Sequence, residues 1–213
     1  IAGPLVAAAM EDPENFVPGA GTFVSIALFV IIATLATMAF QIVLAKVALR
    51  DTAGEAPAWD KAFKDVPWGP GFLVYILVGL AFGVVAIVAM IIPILLVAFV
   101  SAPLGVFLVL LVGIGLIFLY PFTALIPLYA IDGRTSVTGA FSAAYNDIKP
   151  NYWRVFGALA LVGLITGAAS SITSGLSSLI MTPVSVLVAV FVYRWISTRH
   201  EQPVQQDGYM SMY

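Results

Sequence analysis

The side chains in this chain that could do chemistry are few and poorly placed for it. Among 213 residues there is one histidine, His200, and there is no cysteine. A single His near the end of the chain cannot complete a Ser-His-Asp set. Without cysteine there are no disulfides, thiolate nucleophiles or thiolate metal sites. A metal or haem site needs more ligands than one imidazole, so no metal-ligating or cofactor-binding residue is assigned. The glycines lie in apolar runs and not after strands, which excludes a phosphate loop. Chemistry inside a bilayer usually shows as an ionisable group at mid-span. Here every Asp, Glu, Lys and Arg falls in a loop or near a span end. Gln41 and Thr37 are the most polar members of the first apolar run, and hydrogen bonding between helices is their expected role. No catalytic residue is assigned, and no enzymatic activity is expected.

The elements around these residues are defined by composition. Hydrophobic residues make up 62% of the chain and charged residues 9%, with a mean hydropathy of +1.07. That is far outside the range of water-soluble domains, whose folded surface must still face water. Five stretches are long and apolar enough to cross a hydrocarbon core of about 30 Å: 22–48, 71–100, 105–130, 152–169 and 176–196. The reading is an all-α integral membrane helical bundle over residues 1–198, followed by a polar tail over 199–213. "IAGPLVAAAM" reads as the outer end of a further helix that begins upstream, making six spans. The net charge of -2 and the scattered basic residues give no reason to expect nucleic acid as a partner.

Charge sets the expected orientation. With five spans, all 9 Lys and Arg residues fall on one side, and the other side holds only Glu11, Asp12 and Glu14. By the positive-inside rule the basic side is cytoplasmic, with the C-terminus inside. Two loops on that side carry helical amphipathic spacing. They are Trp59, Ala62, Phe63 and Val66 in one, and Phe141, Ala144, Tyr145 and Ile148 in the other. Each is too short to cross and suits the headgroup level, with Trp59, Phe63, Phe141, Tyr145 and Trp153 as anchors. Pro67 and Pro150 follow and redirect the chain. Asp147 is expected to pair with Arg154, and Asp65 with Lys61 or Lys64. The two loops and the runs after them, both containing Leu-Val-Gly-Leu, point to an internal duplication with copies at 22–100 and 105–175, running in the same direction.

The segment "SVTGAFSAAYNDIKPNYWRVFGALALVGLI" resembles a poorly characterised prokaryotic multi-span family that includes the membrane domain associated with glycerophosphoryl diester phosphodiesterases. The matching residues are Ala140, Phe141, Ala144, Asn151, Trp153, Arg154 and Phe156. The resemblance implies six helices in a prokaryotic cytoplasmic (inner) membrane. It carries over no phosphodiesterase activity, because that chemistry belongs to a separate domain rich in acidic and His residues.

Gly79 and Gly83 recur as Gly163 and Gly167 in the two copies. This spacing lets helix backbones approach closely, either within the bundle or against another membrane subunit. Pro93, Pro121 and Pro127 bend their spans, as static kinks or as hinges. In the tail, Tyr209, Met210, Met212 and Tyr213 are the side chains able to anchor it to a partner. The expected function is an accessory or scaffold subunit of a larger membrane complex, with membrane lipids and other integral subunits as partners. The alternative is a carrier or handler of lipid or another apolar solute. Because the chain lacks native cysteine, single cysteines can be placed freely. Those at 134, 149 and 199 should react with an impermeant maleimide from one face, and one at 14 only from the other.

Overall fold

The computed structural model describes residues 20–55, 63–173 and 177–198. Among these the chain is helical: α1 (Ala20–Asp51), α2 (Trp68–Phe99), α3 (Ala102–Ile117), α4 (Tyr120–Asp132), α5 (Gly139–Ile148), a 3-10 turn (Lys149–Asn151), α6 (Tyr152–Ile172) and α7 (Ser178–Ser197). Five helical segments are long and apolar enough to cross a membrane: Gly21–Asp51, Trp68–Phe99, Ala102–Asp132, Gly139–Ile172 and Leu179–Ser197. They fall on the five apolar stretches of the sequence and extend most of them by a few residues.

The chain divides into two compact units, residues 1–40 and 41–213. In the first, the described part is helix α1 up to Phe40, with Phe23, Phe29 and Ile32 among its exposed apolar side chains. The second unit holds the core. There α2 and α3 form one helical hairpin and α6 and α7 another, and α4 packs against α2, α5, α6 and α7. The central position of α4 follows from its composition. "ALIPLYAI" is apolar on every side, so such a helix is stable only when surrounded, and Leu125 through Ile131 are all buried. Gly133 ends this helix at φ 80, a left-handed conformation that glycine adopts without penalty.

Among the described residues, burial is concentrated at one end of the second unit. Ile42, Ala45 and Leu49 line one stripe of α1, and Gly71, Val74 and Val78 one stripe of α2. Val155, Leu159, Val190, Tyr193 and Ile196 complete the core. Between residues 79 and 120 only Pro93 and Gly105 are buried, and among the described residues from 160 to 188 none is. The outer parts of the helices present apolar side chains outward, as a surface bathed in lipid does.

Two glycines are required by close approach. A methyl at Gly105 would come within 2.5 Å of the Val97 backbone nitrogen and 2.9 Å of the Pro93 carbonyl, so α3 can lie on α2 only without a side chain there. A methyl at Gly71 would meet Ile42 Cδ1 at 2.9 Å.

The two amphipathic loops differ from each other. The second is a helix, but its buried stripe is Ala140, Ala144 and Ile148, with Phe141 half-buried and Tyr145 51% exposed. Alanines at two of the three inward positions bring this helix close to α4, so its apolar face meets protein. The first loop is not helical at its end: residues 63–65 form a turn with Asp65 at φ 59. Asp is one of the few non-glycine residues that tolerates this region, and Val66 before Pro67 is biased away from helix. Trp59, Ala62 and the rest of 56–62 lie outside the described residues. Replacing Gly105 or Gly71 by Leu should destabilise the protein by about 1–3 kcal/mol or more through overpacking. Gly79→Leu should leave its thermal unfolding in mild detergent nearly unchanged.

Candidate functional site

The polar side chains of the second unit gather where α1 ends, α4 ends and α7 ends. Tyr193 donates its hydroxyl proton to Asp132 Oδ2 at 2.6 Å, and Arg134 Nε lies 2.7 Å from the same oxygen. Tyr129 donates to Asp147 Oδ2 at 2.7 Å. The two phenol rings meet edge to face with centroids 4.7 Å apart. Both rings are buried, at 3% and 0% exposure, so each hydroxyl needs a partner within the protein. The carboxylates provide them. Asp132 and Tyr129 lie one turn apart on α4, Asp147 lies on α5 and Tyr193 on α7, so the two phenol–carboxylate pairs join three helices.

A second clasp ties α7 to α1. Arg194 Nη2 donates to the Leu49 carbonyl at 2.6 Å, and Nε donates to Thr52 Oγ1 at 3.0 Å. Thr52 in turn donates to the Ala48 carbonyl at 2.8 Å. The last carbonyls of a helix lack partners in their own ladder, and a guanidinium there also suits the helix dipole.

A third feature lies at the α3–α4 break. Pro121 has no N–H, and the Phe122 N–H bonds to the Leu119 carbonyl, which deprives Phe118 of its usual acceptor role in the ladder. Tyr152 at the start of α6 donates its hydroxyl to the Phe118 carbonyl at 2.7 Å. The bend is thus held by a neighbouring helix. Around it Phe118, Phe122, Tyr145, Tyr152, Trp153 and Phe156 make a continuous set of ring contacts, with centroids 5.1 to 6.3 Å apart.

The anticipated pairings come out differently. Asp147 is held by Tyr129, and Arg154 makes no ion pair among the described residues. Asp65 lies 3.7 Å from Arg50, not against Lys64, and both Asp65 and Glu55 in this Arg50 group are well exposed. Such pairs contribute about 0–1 kcal/mol. Lys61 lies outside the described residues. Thr37 bonds to the Ala33 carbonyl of its own helix at 2.8 Å, an ordinary outlet for a hydroxyl in an apolar helix. A hydrogen bond between helices is made instead by Thr166 and Ser185, 3.2 Å apart.

Of the anticipated anchors, Phe63 is 68% exposed, Trp153 is 70% exposed and Tyr145 stacks on Phe122. A methyl at Gly79, Gly83, Gly163 or Gly167 meets no atom within 4 Å, so close helix approach occurs at Gly71 and Gly105 instead. His200 and the tail residues Tyr209, Met210, Met212 and Tyr213 lie outside the described residues. Sequence reasoning passed over Tyr129, Asp132, Tyr193 and Arg194. The available signal was that each is a polar or aromatic residue one turn from the end of an apolar run.

The fold and the arrangement of its polar groups define a multi-pass helical membrane protein. Several of its polar groups act as ties between helices: the Tyr129 and Tyr193 hydroxyls donate to Asp147 and Asp132, and the Tyr152 hydroxyl to the Phe118 carbonyl. No family model, curated protein or solved structure matches the chain. Tyr193→Phe and Tyr129→Phe should each lower stability by about 1–3 kcal/mol, because each removes a buried hydrogen bond to a carboxylate. Tyr152→Phe should lose about 0.6–1.5 kcal/mol. Thermal unfolding in mild detergent, with a Tyr193→Phe and Asp132→Asn double-mutant cycle, measures these effects.

Proposed function

We propose that the chain is a non-enzymatic accessory or scaffold subunit of a larger membrane assembly. It would sit in a prokaryotic cytoplasmic membrane with its basic side and C-terminus in the cytoplasm. The observation that carries this reading is the outward placement of the small-residue positions. Gly79 and Gly83 on α2, and Gly163 and Gly167 on α6, are open to their surroundings. Helices meet in lipid by close packing of small residues, because apolar side chains gain nothing from leaving an apolar solvent. Four glycines unused by the protein's own core are therefore suited to receive helices from another chain.

The ties at the charged end support the same reading. They lock α1, α4, α5 and α7 together with phenol, carboxylate and guanidinium groups, a rigid base for presenting faces and a poor arrangement for turnover. The likeness to the phosphodiesterase-associated membrane domain enters on the same footing. Its matching residues Ala140, Ala144 and Phe156 have packing roles here, and Trp153 and Arg154 are exposed. The internal duplication supports it through the equivalent glycine pairs.

A second reading, the handling of lipid or another apolar solute, is favoured by one observation. Among the described residues in the outer halves of the two hairpins only Pro93 and Gly105 are buried, leaving apolar walls on both. Purification from native membranes in mild detergent separates the two. The subunit reading expects a stoichiometric protein partner that is lost in the Gly79→Leu, Gly163→Leu double variant while the variant stays folded. A lone protein that moves labelled lipid between vesicles would replace it with the second reading.

A further inference from the structure

The segment Ala102–Asp132, 31 residues long, measures about 46 Å at 1.5 Å per residue. A hydrocarbon core is about 30 Å thick, so roughly a third of this segment extends beyond it. Burial decides which third. Leu125 through Ile131 are enclosed by protein, whereas from Val106 to Tyr120 no residue is buried. Counted from Ala102, the hydrocarbon ends about 30 Å on, near Phe122.

At that level the aromatic set reaches the surface. Trp153, 70% exposed, touches Phe118 and Tyr152, while Phe122 stacks on Tyr145. Trp and Tyr favour the headgroup region, where an apolar ring body and a polar tip are both accommodated. Two cations occupy the same elbow between α5 and α6. Lys149 Nζ lies 5.5 Å above the Tyr145 ring. Arg154 follows Trp153, is exposed, and makes no ion pair or hydrogen bond among the described residues. A guanidinium without a carboxylate at the headgroup plane matches phosphate oxygens in charge and in donor geometry.

We propose that the α5–α6 elbow is a binding site for an anionic phospholipid. Arg154 and Lys149 take the phosphate and headgroup, and Trp153 lies against the upper acyl chain. The inference rests on the membrane-spanning reading and not on the subunit reading, so it is tested on the protein alone.

The full chain with Trp59, Trp68 and Trp195 changed to Phe keeps Trp153 as its one indole. It is reconstituted in phosphatidylcholine bilayers containing a minor fraction of brominated phosphatidylglycerol or, separately, of brominated phosphatidylcholine. Quenching by the anionic lipid should exceed quenching by the neutral one by about fivefold, and the ratio should fall to near unity in the K149Q/R154Q variant. Equal quenching in the parent protein, or an undiminished ratio in the variant, overturns the proposal. Loss of the preference on adding inorganic phosphate at constant ionic strength also overturns it, by assigning the site to the free ion. If the Trp-depleted chain fails to fold, the parent and K149Q/R154Q proteins are compared by mass spectrometry for phosphatidylglycerol retained after detergent exchange. Equal retention is then the overturning result.

Discussion

A backbone carbonyl or a phenol inside hydrocarbon has no water to bond, so every polar group must find a partner in the protein or be carried to an end of the span. The whole structure follows from how this chain meets that demand. Most of its backbone is helical and satisfies itself. Where Pro121 interrupts the ladder, the Phe118 carbonyl is met by the Tyr152 hydroxyl from another helix. Where α1 ends, Leu49 is met by Arg194. Where two tyrosines are buried, two aspartates meet them. Each tie crosses between helices, so the same bonds that satisfy polar groups also fix which helices are neighbours.

The second consequence is the uneven distribution of packing. Side chains at the charged end exclude solvent as a soluble core does, and Tyr193, Ile42, Leu125 and Ile148 are fully enclosed. Farther along, α2 and α3 hold each other through the bare backbone at Gly105, and α6 and α7 through the Thr166–Ser185 bond. Lipid replaces protein around the remainder at little loss in dispersion energy, since its chains are as apolar as leucine. The hydrophobic effect therefore stabilises the protein mainly at one end, and close contact with specific hydrogen bonds at the other.

Much of the architecture was legible in the sequence because span length is set by the bilayer and apolar runs are hard to mistake. All five spans were found this way. The ties were harder to see. Tyr129 and Asp132 lie 18 and 61 residues from their partners Asp147 and Tyr193, and nothing in local spacing indicates that α4 packs against both α5 and α7. The glycines show the same gap. Gly79-x3-Gly83 fits a packing pattern yet faces outward, while Gly105, outside any such pattern, is the point of closest approach. Periodicity finds faces, but it does not say which face meets which. The end of the first amphipathic loop differs for a local reason: spacing at Phe63 and Val66 suits a helix, but Asp65 and Pro67 turn the chain there instead.

The Arg194 clasp joins positions 142 and 145 residues apart in the chain, near opposite ends of the described structure. A ribosome delivers α1 before α7, so the carbonyls that end α1 wait through the synthesis of every intervening helix before their partner emerges. The compact end of the bundle is consequently completed only when α7 has inserted. A product stopped short of Arg194 lacks the donor that the Leu49 carbonyl takes in the folded bundle, so closure of that end belongs to the later steps of assembly.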